Sequence, residues 1–149
     1  MSDEPVIKPS QTSHPAAFEE VEHTADRALR IYGSDMQALF ANAVRGMNSI
    51  LVADISVIPL QVEKQIELEA MDPESLLVEW LSEFAYWAET EMLIFVKFDL
   101  KTTTPTRIQA IVTGGKAANL EKHIKAVTYH NLEIVAAEDG LTATVVFDV

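Results

Sequence analysis

The sequence contains no cysteine, which excludes disulfides, thiolate metal sites and cysteine nucleophiles. The absence fits a protein of the reducing cytosol. The chain also lacks any apolar run near the roughly 20 residues that a membrane helix needs. Its first residues, Met1 to Pro5, carry acid where a signal peptide carries base. We therefore expect a cytoplasmic protein without a membrane segment.

Basic residues are few. Lys and Arg number 11 against 23 Asp and Glu, a formal net charge of −12, and they form no basic run. A protein that holds RNA or DNA by itself neutralises phosphates with a Lys/Arg patch, so tight direct nucleic-acid binding is not expected. The acidity suits cation binding or docking onto a basic partner surface, although solubility alone would also account for it.

The chain does contain enough apolar residues for one folded core, because 48% of its 149 residues are hydrophobic. Residues 1–15, with three prolines among polar residues, predict a flexible N-terminal tail. Residues 16–149 predict a single domain.

The domain begins with strand patterns and then a helix pattern. Short strands are predicted at Phe18–Val21 and Ala28–Tyr32. Apolar residues at helical spacing then predict an amphipathic helix over residues 36–51, with Ser34 as its N-cap and Asp35 in its first turn.

A half-solvated strand and a second helix follow. Residues 60–70 alternate apolar with acidic side chains, except for Lys64 on the apolar side. Asp72 and Pro73 mark a helix start, and the wide apolar stripe through Trp80 and Trp87 predicts a helix that lies across the sheet and carries the largest share of the core.

The second half is rich in strand patterns. The predicted strands are Met92–Leu100, Arg107–Thr113, Ile124–Ala136 and Leu141–Val149. Gly114 and Gly115 open a predicted loop that runs to about His123, and Asp139-Gly140 predicts a type I′ hairpin turn. The fold class is therefore α+β, with two helices packed on mostly antiparallel sheets of about seven strands.

No catalytic signature of a known type occurs in the sequence, which argues against an enzyme acting alone. The loop His23–Asp26 places a His and an Asp where both could face one point, as metal ligands or as an acid/base pair. A turn-capping Asp beside a structural His is the simpler reading of that loop.

The C-terminal residues are a second candidate site. The α-carboxylate of Val149 adjoins the Asp148 carboxylate, and the two repel unless a cation or a basic partner offsets them. Oxygen ligands alone select hard cations such as Ca²⁺ or Mg²⁺, while a solvated chain end would need no cation. The segment Lys125–His130 is either a partner-binding edge or a solvated strand face.

Four segments together carry a family resemblance: the loop His23–Asp26, the helical segment Leu76–Glu83, the strand segment Lys125–His130 and the terminal Asp148-Val149. In this order, and over about residues 18–149, they resemble the archeases. The resemblance implies an archease-like fold and a cytosolic accessory protein, not an enzyme. Its implied partner is the GTP-dependent RtcB-type RNA ligase of tRNA splicing, whose guanylylation and multiple turnover archeases promote and whose nucleotide use they can broaden.

The resemblance also implies a metal site. Archeases hold a divalent cation, seen as calcium, through residues that correspond here to Asp26, Asp148 and Val149, and His23 would support them from outside the ligand set. Magnesium or manganese would also suit oxygen ligands. We expect a monomer. A general chaperone, a specificity modulator of a tRNA-modifying enzyme, and a hydrolase using His23, Asp26 and Asp148 are the alternatives.

Overall fold

The computed structural model describes residues 17–21 and 26–149. The elements in chain order are β1 (Phe18–Val21), β2 (Arg27–Gly33), α1 (Met36–Leu51), a 3₁₀ helix (Ile55–Val57), β3 (Val62–Glu69), α2 (Pro73–Glu91), β4 (Leu93–Thr103), β5 (Arg107–Lys116), β6 (Ala126–Thr128), β7 (Val135–Ala137) and β8 (Gly140–Asp148). The α+β class is confirmed. The N-terminal tail and the residues 22–25 of the first loop lie outside the described residues.

The strands form two sheets with the helices between them. The first sheet has the order β1-β2-β8-β6, with β7 also paired to β8, and the second has the order β3-β5-β4. All pairs are antiparallel, as expected. Helix α1 packs on β2 and β4, and α2 packs on β4 and β6, so each helix contacts both sheets. The pairing of these strands brings the start of β2, the start of β6 and the end of β8 together at one end of the first sheet.

The core centres on aromatic residues of α2, as the apolar stripe predicts. Trp80 is fully buried, and its indole N–H donates to the Phe40 carbonyl of α1 over 2.9 Å. Trp87 lies at the edge of this cluster against Phe95. The ammonium group of Lys64 sits 5.2 Å from the Trp87 ring centroid, which explains a cation on the apolar side of β3.

The helix starts follow local capping chemistry. At α2 the Asp72 carboxylate accepts from the Ser75 N–H over 2.7 Å, as predicted. At α1 the predicted cap is wrong by one residue. Asp35, not Ser34, is the N-cap, because its carboxylate accepts from the Ala38 N–H over 2.8 Å.

The predicted loop at Gly114 and Gly115 is wrong. Both residues lie inside β5, and the loop begins after Lys116. A Cβ at Gly114 would collide with the Ile94 carbonyl of β4, and one at Gly115 with the Pro59 carbonyl. These glycines therefore allow close approach of neighbouring backbones and do not mark a turn.

The single strand predicted at Ile124–Ala136 is also wrong. It is divided into β6 and β7, which both pair with β8, so the described residues contain eight strands. Asn131 between them has a left-handed backbone with φ 50°, and the Ile134 N–H donates to the Glu74 carboxylate of α2 over 2.9 Å. This turn and this hydrogen bond accompany the break in the strand, and residues 129–134 are not part of the sheet.

The predicted hairpin joins β7 to β8, but its turn differs from the predicted one. Glu138 and Asp139 are the two turn residues, and neither has positive φ, so the turn is not type I′. Gly140, with φ 139°, is the first residue of β8.

Candidate functional site

Asp148 ends the inner strand β8 between two neighbouring strands. It pairs with Ala126 of β6 on one side, and on the other side the register of β8 with β2 runs to Phe147 opposite Arg27. Phe147 is fully buried and Asp148 is exposed. Because side chains alternate across a strand, Asp148 lies on the face of the sheet turned away from the helices.

Asp26 stands immediately before β2, one position beyond Arg27. The register of β2 with β8 ends at Arg27 opposite Phe147, so Asp26 and Asp148, the next residue of each segment, adjoin the same end of the sheet. Asp26 is partly buried. The pairing of β2 with β8 thus brings together two of the predicted site residues from opposite ends of the domain.

Of the other two predicted site residues, the structure describes Val149 and not His23. Val149 follows β8, is partly buried and packs against the core. The Lys125 N–H donates to the Asp148 carbonyl over 2.7 Å, so the chain end is tied to the segment before β6. His23 lies outside the described residues.

Arg27, the residue after Asp26, already has an acidic partner within the domain. The Arg27 guanidinium forms an ion pair with Glu20 of β1, including a hydrogen bond of 2.8 Å. This hydrogen bond holds the pKa of Glu20 below its ordinary value and raises that of Arg27.

The polar residues of Lys125–His130 support the strand end. The Thr128 hydroxyl donates to the Val146 carbonyl over 3.0 Å, and the His130 N–H donates to the Thr128 hydroxyl over 3.3 Å. Lys125 is exposed. These contacts fix the course of β6 beside β8, while a partner-binding role for the segment stays a prediction.

The two carboxylates could serve a hard cation, because both offer oxygen ligands at the same end of the sheet. Within residues 17–21 and 26–149, no three His, Cys, Asp or Glu side chains gather where they could hold a metal ion. Asp26 and Asp148 do not form such a group by themselves, and Val149 is the residue next to Asp148.

A cleft lies at the other end of β8, beside the β7–β8 hairpin. It has a volume of about 630 Å³ and is lined by residues that include Tyr32, Asn42 and the turn Glu138–Asp139. Since Asp148 is at the other end of that strand, the cleft is separate from the carboxylate pair. Sequence reasoning missed this cleft because it depends on the β7–β8 hairpin meeting the start of α1.

The fold and the strand end together define a class: a small α+β protein in which two antiparallel sheets enclose two helices and two aspartates adjoin at one sheet end. A model of the Archease protein family matches residues 18–149. The chain belongs to this family, which confirms the resemblance read from its motifs.

Individual relatives agree over nearly the whole chain. The archease of Methanosarcina mazei is 34% identical over 140 residues, which cover 89% of this chain and 95% of the relative. The archease of Saccharolobus islandicus is 33% identical over 138 residues, covering 89% of this chain and 99% of the relative.

Solved structures agree on the fold. The solution structure of Methanobacterium thermoautotrophicum protein 1598 matches with a TM-score of 0.74 and 27% identity, covering 89% of this chain and 99% of that one. The crystal structure of a Thermotoga maritima archease, described as a possible chaperone, matches with a TM-score of 0.63 and 22% identity over 88% of this chain and 96% of that one. Among the described residues, no helix is both long and apolar enough to cross a membrane.

Proposed function

We propose that this protein activates a GTP-dependent RtcB-type RNA ligase in the cytoplasm, promoting its guanylylation and multiple turnover, and that it does so with a divalent cation. Membership of the archease family supports the accessory role. The observation that supports the metal part is the pairing of β2 with β8, because it brings the residues next to Asp26 and Asp148 together at one end of the sheet.

The donor set fits a hard cation. Two carboxylates at one end of the sheet, with no cysteine in the chain, suit Ca²⁺, Mg²⁺ or Mn²⁺. Asp26, Asp148 and Val149 would hold the ion, and His23 would support them without ligating it. A bound ion supplies positive charge that can meet phosphate oxygens.

The chain's own contribution is to bring these acids together and keep them there. The pairing of β2 with β8 brings the segments that carry Asp26 and Asp148 to one end of the sheet, and the hydrogen bond from Lys125 ties the Asp148 backbone to the segment before β6. Two like charges held side by side are offset by a cation, so the folded strand end favours cation binding.

Ligase turnover tests the proposal. RNA joining is measured with the ligase far below the substrate concentration, with and without this protein. We expect the wild type to give multiple turnover, and Asp26→Asn and Asp148→Asn to lose most of the stimulation. Asp139→Asn, in the hairpin at the far end of β8, is the matched control and should stimulate fully.

Two results would contradict different parts of the proposal. Full stimulation by both site variants would overturn the metal mechanism and leave the activator role. No stimulation by the wild type would overturn the activator role itself.

A chaperone or a specificity modulator of a tRNA-modifying enzyme is the second candidate, favoured by the description of the Thermotoga maritima protein. The stripe through Trp80 cannot present a client surface, because Trp80 is fully buried. Exposed apolar residues such as Ile55, Val57 and Leu60 would have to do so. Suppressed aggregation of unrelated heated proteins, equal with and without metal, would support this candidate.

A further inference from the structure

A groove, the β1–β4 groove, lies between the outer strands of the two sheets. In the described part of the chain, β1 pairs only with β2 and β4 only with β5, and helix α1 contacts both β1 and β4. The groove has a volume of about 360 Å³, with Phe18 of β1 and Val96 of β4 on its two sides. Val96 is the extra residue where the register of β4 with β5 shifts, so a bulge shapes this side. Helix α1 is thus open to the outside between two free sheet edges.

Helix α1 and its C-cap turn one side to the groove. The groove is lined there by Arg45 and by the residues three, four and seven positions further on, which are Asn48, Ser49 and Val52. The Asn48 amide donates to the Phe95 carbonyl over 2.9 Å, and the Ser49 hydroxyl donates to a carbonyl of its own helix over 2.5 Å. Because both neutral polar side chains are engaged within the domain, Arg45 is the lining group that can meet a ligand.

Arg45 differs from the other arginines of the chain. Three arginines form ion pairs with glutamates of a neighbouring strand: Arg27, Arg30 and Arg107. Arg45 forms no ion pair with any residue that the structure describes. Its guanidinium instead donates to the Asn42 side-chain oxygen over 2.9 Å and lies 5.4 Å from the centroid of the Phe98 ring. These neutral contacts hold the guanidinium and use only part of its N–H donors, so it is placed to take a carboxylate.

Nearby acids do not neutralise Arg45. Asp54 is next to the groove, but its carboxylate accepts from the Ser56 N–H over 3.0 Å and from the Ser56 hydroxyl over 2.6 Å. Glu63 and Asp99 line a neighbouring depression together with Arg45, and neither forms an ion pair with it. Among the described residues, no Asp or Glu lines the groove itself. In a chain of net charge −12, the groove is therefore a place of local positive charge.

Exposed apolar side chains adjoin the groove. Ile55 lines it and is 43% exposed, and Val57 and Leu60 of the same segment are 70% and 48% exposed. Exposed apolar side chains that occur together are typical of a protein interface. A small molecule in the groove would leave Val57 and Leu60 in water, because neither of them lines it. The apolar surface therefore favours a protein segment as the occupant.

We propose that the β1–β4 groove docks a segment of the protein partner that carries a carboxylate beside apolar side chains. The carboxylate pairs with Arg45, one apolar side chain enters between Phe18 and Val96, and its neighbours pack on the exposed apolar residues of the segment 55–60. The inference rests on the proposed function, because it names a surface by which the RNA ligase is held. The carboxylate pair at the end of β8 does not line the groove, so docking and activation are assigned to different residues.

Two exposed side chains test the proposal without disturbing the core. Arg45→Gln removes the charge, and Val57→Ser removes an exposed apolar side chain, so both variants should melt close to the wild-type temperature. The Kd for the purified RtcB-type ligase should rise by about tenfold for Arg45→Gln and by about threefold or more for Val57→Ser. The effect of Arg45→Gln should shrink at high salt, whereas that of Val57→Ser should not, because salt screens charge and does not weaken apolar burial.

Matched controls make the same changes elsewhere. Arg107→Gln removes one positive charge at the start of β5, and Met71→Ser removes an apolar side chain that is 94% exposed. Neither residue lines the groove, so both controls should bind the ligase with the wild-type Kd. Arg45→Gln should also stimulate the ligase fully once enough protein is added to restore binding, because it keeps the carboxylate pair.

The outcomes separate this inference from the proposed function. If the wild type binds and stimulates the ligase and Arg45→Gln binds equally well, the docking inference is overturned and the activator role stands. Equal weakening by Arg107→Gln overturns the docking inference as well, because general charge then accounts for binding. If the wild type neither binds nor stimulates, the activator role fails and the docking inference fails with it.

Two other occupants of the groove would also overturn the inference. Saturable binding of decanoate in an NMR titration that is lost in Arg45→Gln, with ligase binding unchanged, would assign the groove to a free apolar acid. A wild-type dimer in sedimentation that dissociates in Arg45→Gln, again with ligase binding unchanged, would assign it to a second copy of the chain.

Discussion

Replacing Asp148 with asparagine should stabilise the protein without metal and destabilise it, relative to the wild type, with metal. Directly opposed side chains in an antiparallel pair have Cβ atoms about 5 Å apart, and two unit charges at about 5 Å interact by about 0.8 kcal/mol in a water-like dielectric. The water-like value applies because Asp148 is exposed. Asp148→Asn should therefore raise the metal-free melting temperature by roughly 2–3 °C.

Calcium should reverse this order. A ligand present at a hundredfold excess over its Kd stabilises the folded state by about 2.7 kcal/mol, which is a rise of roughly 5–10 °C for a domain of this size. The wild type should gain this stabilisation, and Asp148→Asn should gain little of it because one of the three proposed ligands loses its charge. The wild type then becomes the more stable protein.

The assay is thermal unfolding followed by circular dichroism, first with a chelator and then with rising calcium. Asp139→Asn serves as the control, since it removes one charge at the other end of β8 and should keep the wild-type calcium response. Equal calcium shifts for the wild type and Asp148→Asn would refute the ligand role. An unchanged or lower metal-free melting temperature for Asp148→Asn would refute the repulsion between the two aspartates.

Two further predictions concern the scaffold. Asn48→Ala removes the buried amide that donates to the Phe95 carbonyl over 2.9 Å. The free energy of unfolding, measured by urea titration, should therefore fall by about 1–3 kcal/mol. A loss under about 0.5 kcal/mol would contradict this prediction. The hydrogen bond from Arg27 lowers the pKa of Glu20 from its ordinary value of 4.5 in the folded protein. The ionised Glu20 therefore stabilises the folded state above pH 4.5, and this stabilisation is lost as the pH falls through the lower folded pKa. The stability difference between the wild type and Glu20→Gln should therefore be larger at pH 7 than at pH 3, and equal differences would refute the assignment.

Local signals in the sequence were sufficient for the helices. The spacing of apolar residues predicted α1 and α2, and Asp72-Pro73 fixed the start of α2. The cap of α1 was misplaced because Ser34 and Asp35 are both good capping residues, and only the position of the Ala38 N–H decides between them.

The two strand predictions that were wrong in the second half of the chain failed because contacts between residues distant in sequence decide the structure there. Gly114 and Gly115 form part of a strand because Ile94 and Pro59 approach them closely, and no local pattern reports that approach. The break between β6 and β7 depends on Glu74, which is distant in sequence. Each case was decided by a neighbour from another element.

The candidate site was predictable only in part. The sequence indicated Asp26 and Asp148 through the family resemblance, on the condition that their strands are neighbours. The pairing of β2 with β8 meets this condition.

The net charge of −12 is therefore less informative than where the acids lie. Glu19, Glu20 and Glu67 form ion pairs with arginines of neighbouring strands, so these acids serve the fold. The carboxylate pair at the end of β8 and the glutamates of α2 instead occupy positions where like charge or the helix dipole opposes them. If the carboxylate pair serves activation and not docking, Asp148→Asn should bind the ligase with the wild-type Kd and should fail to activate it.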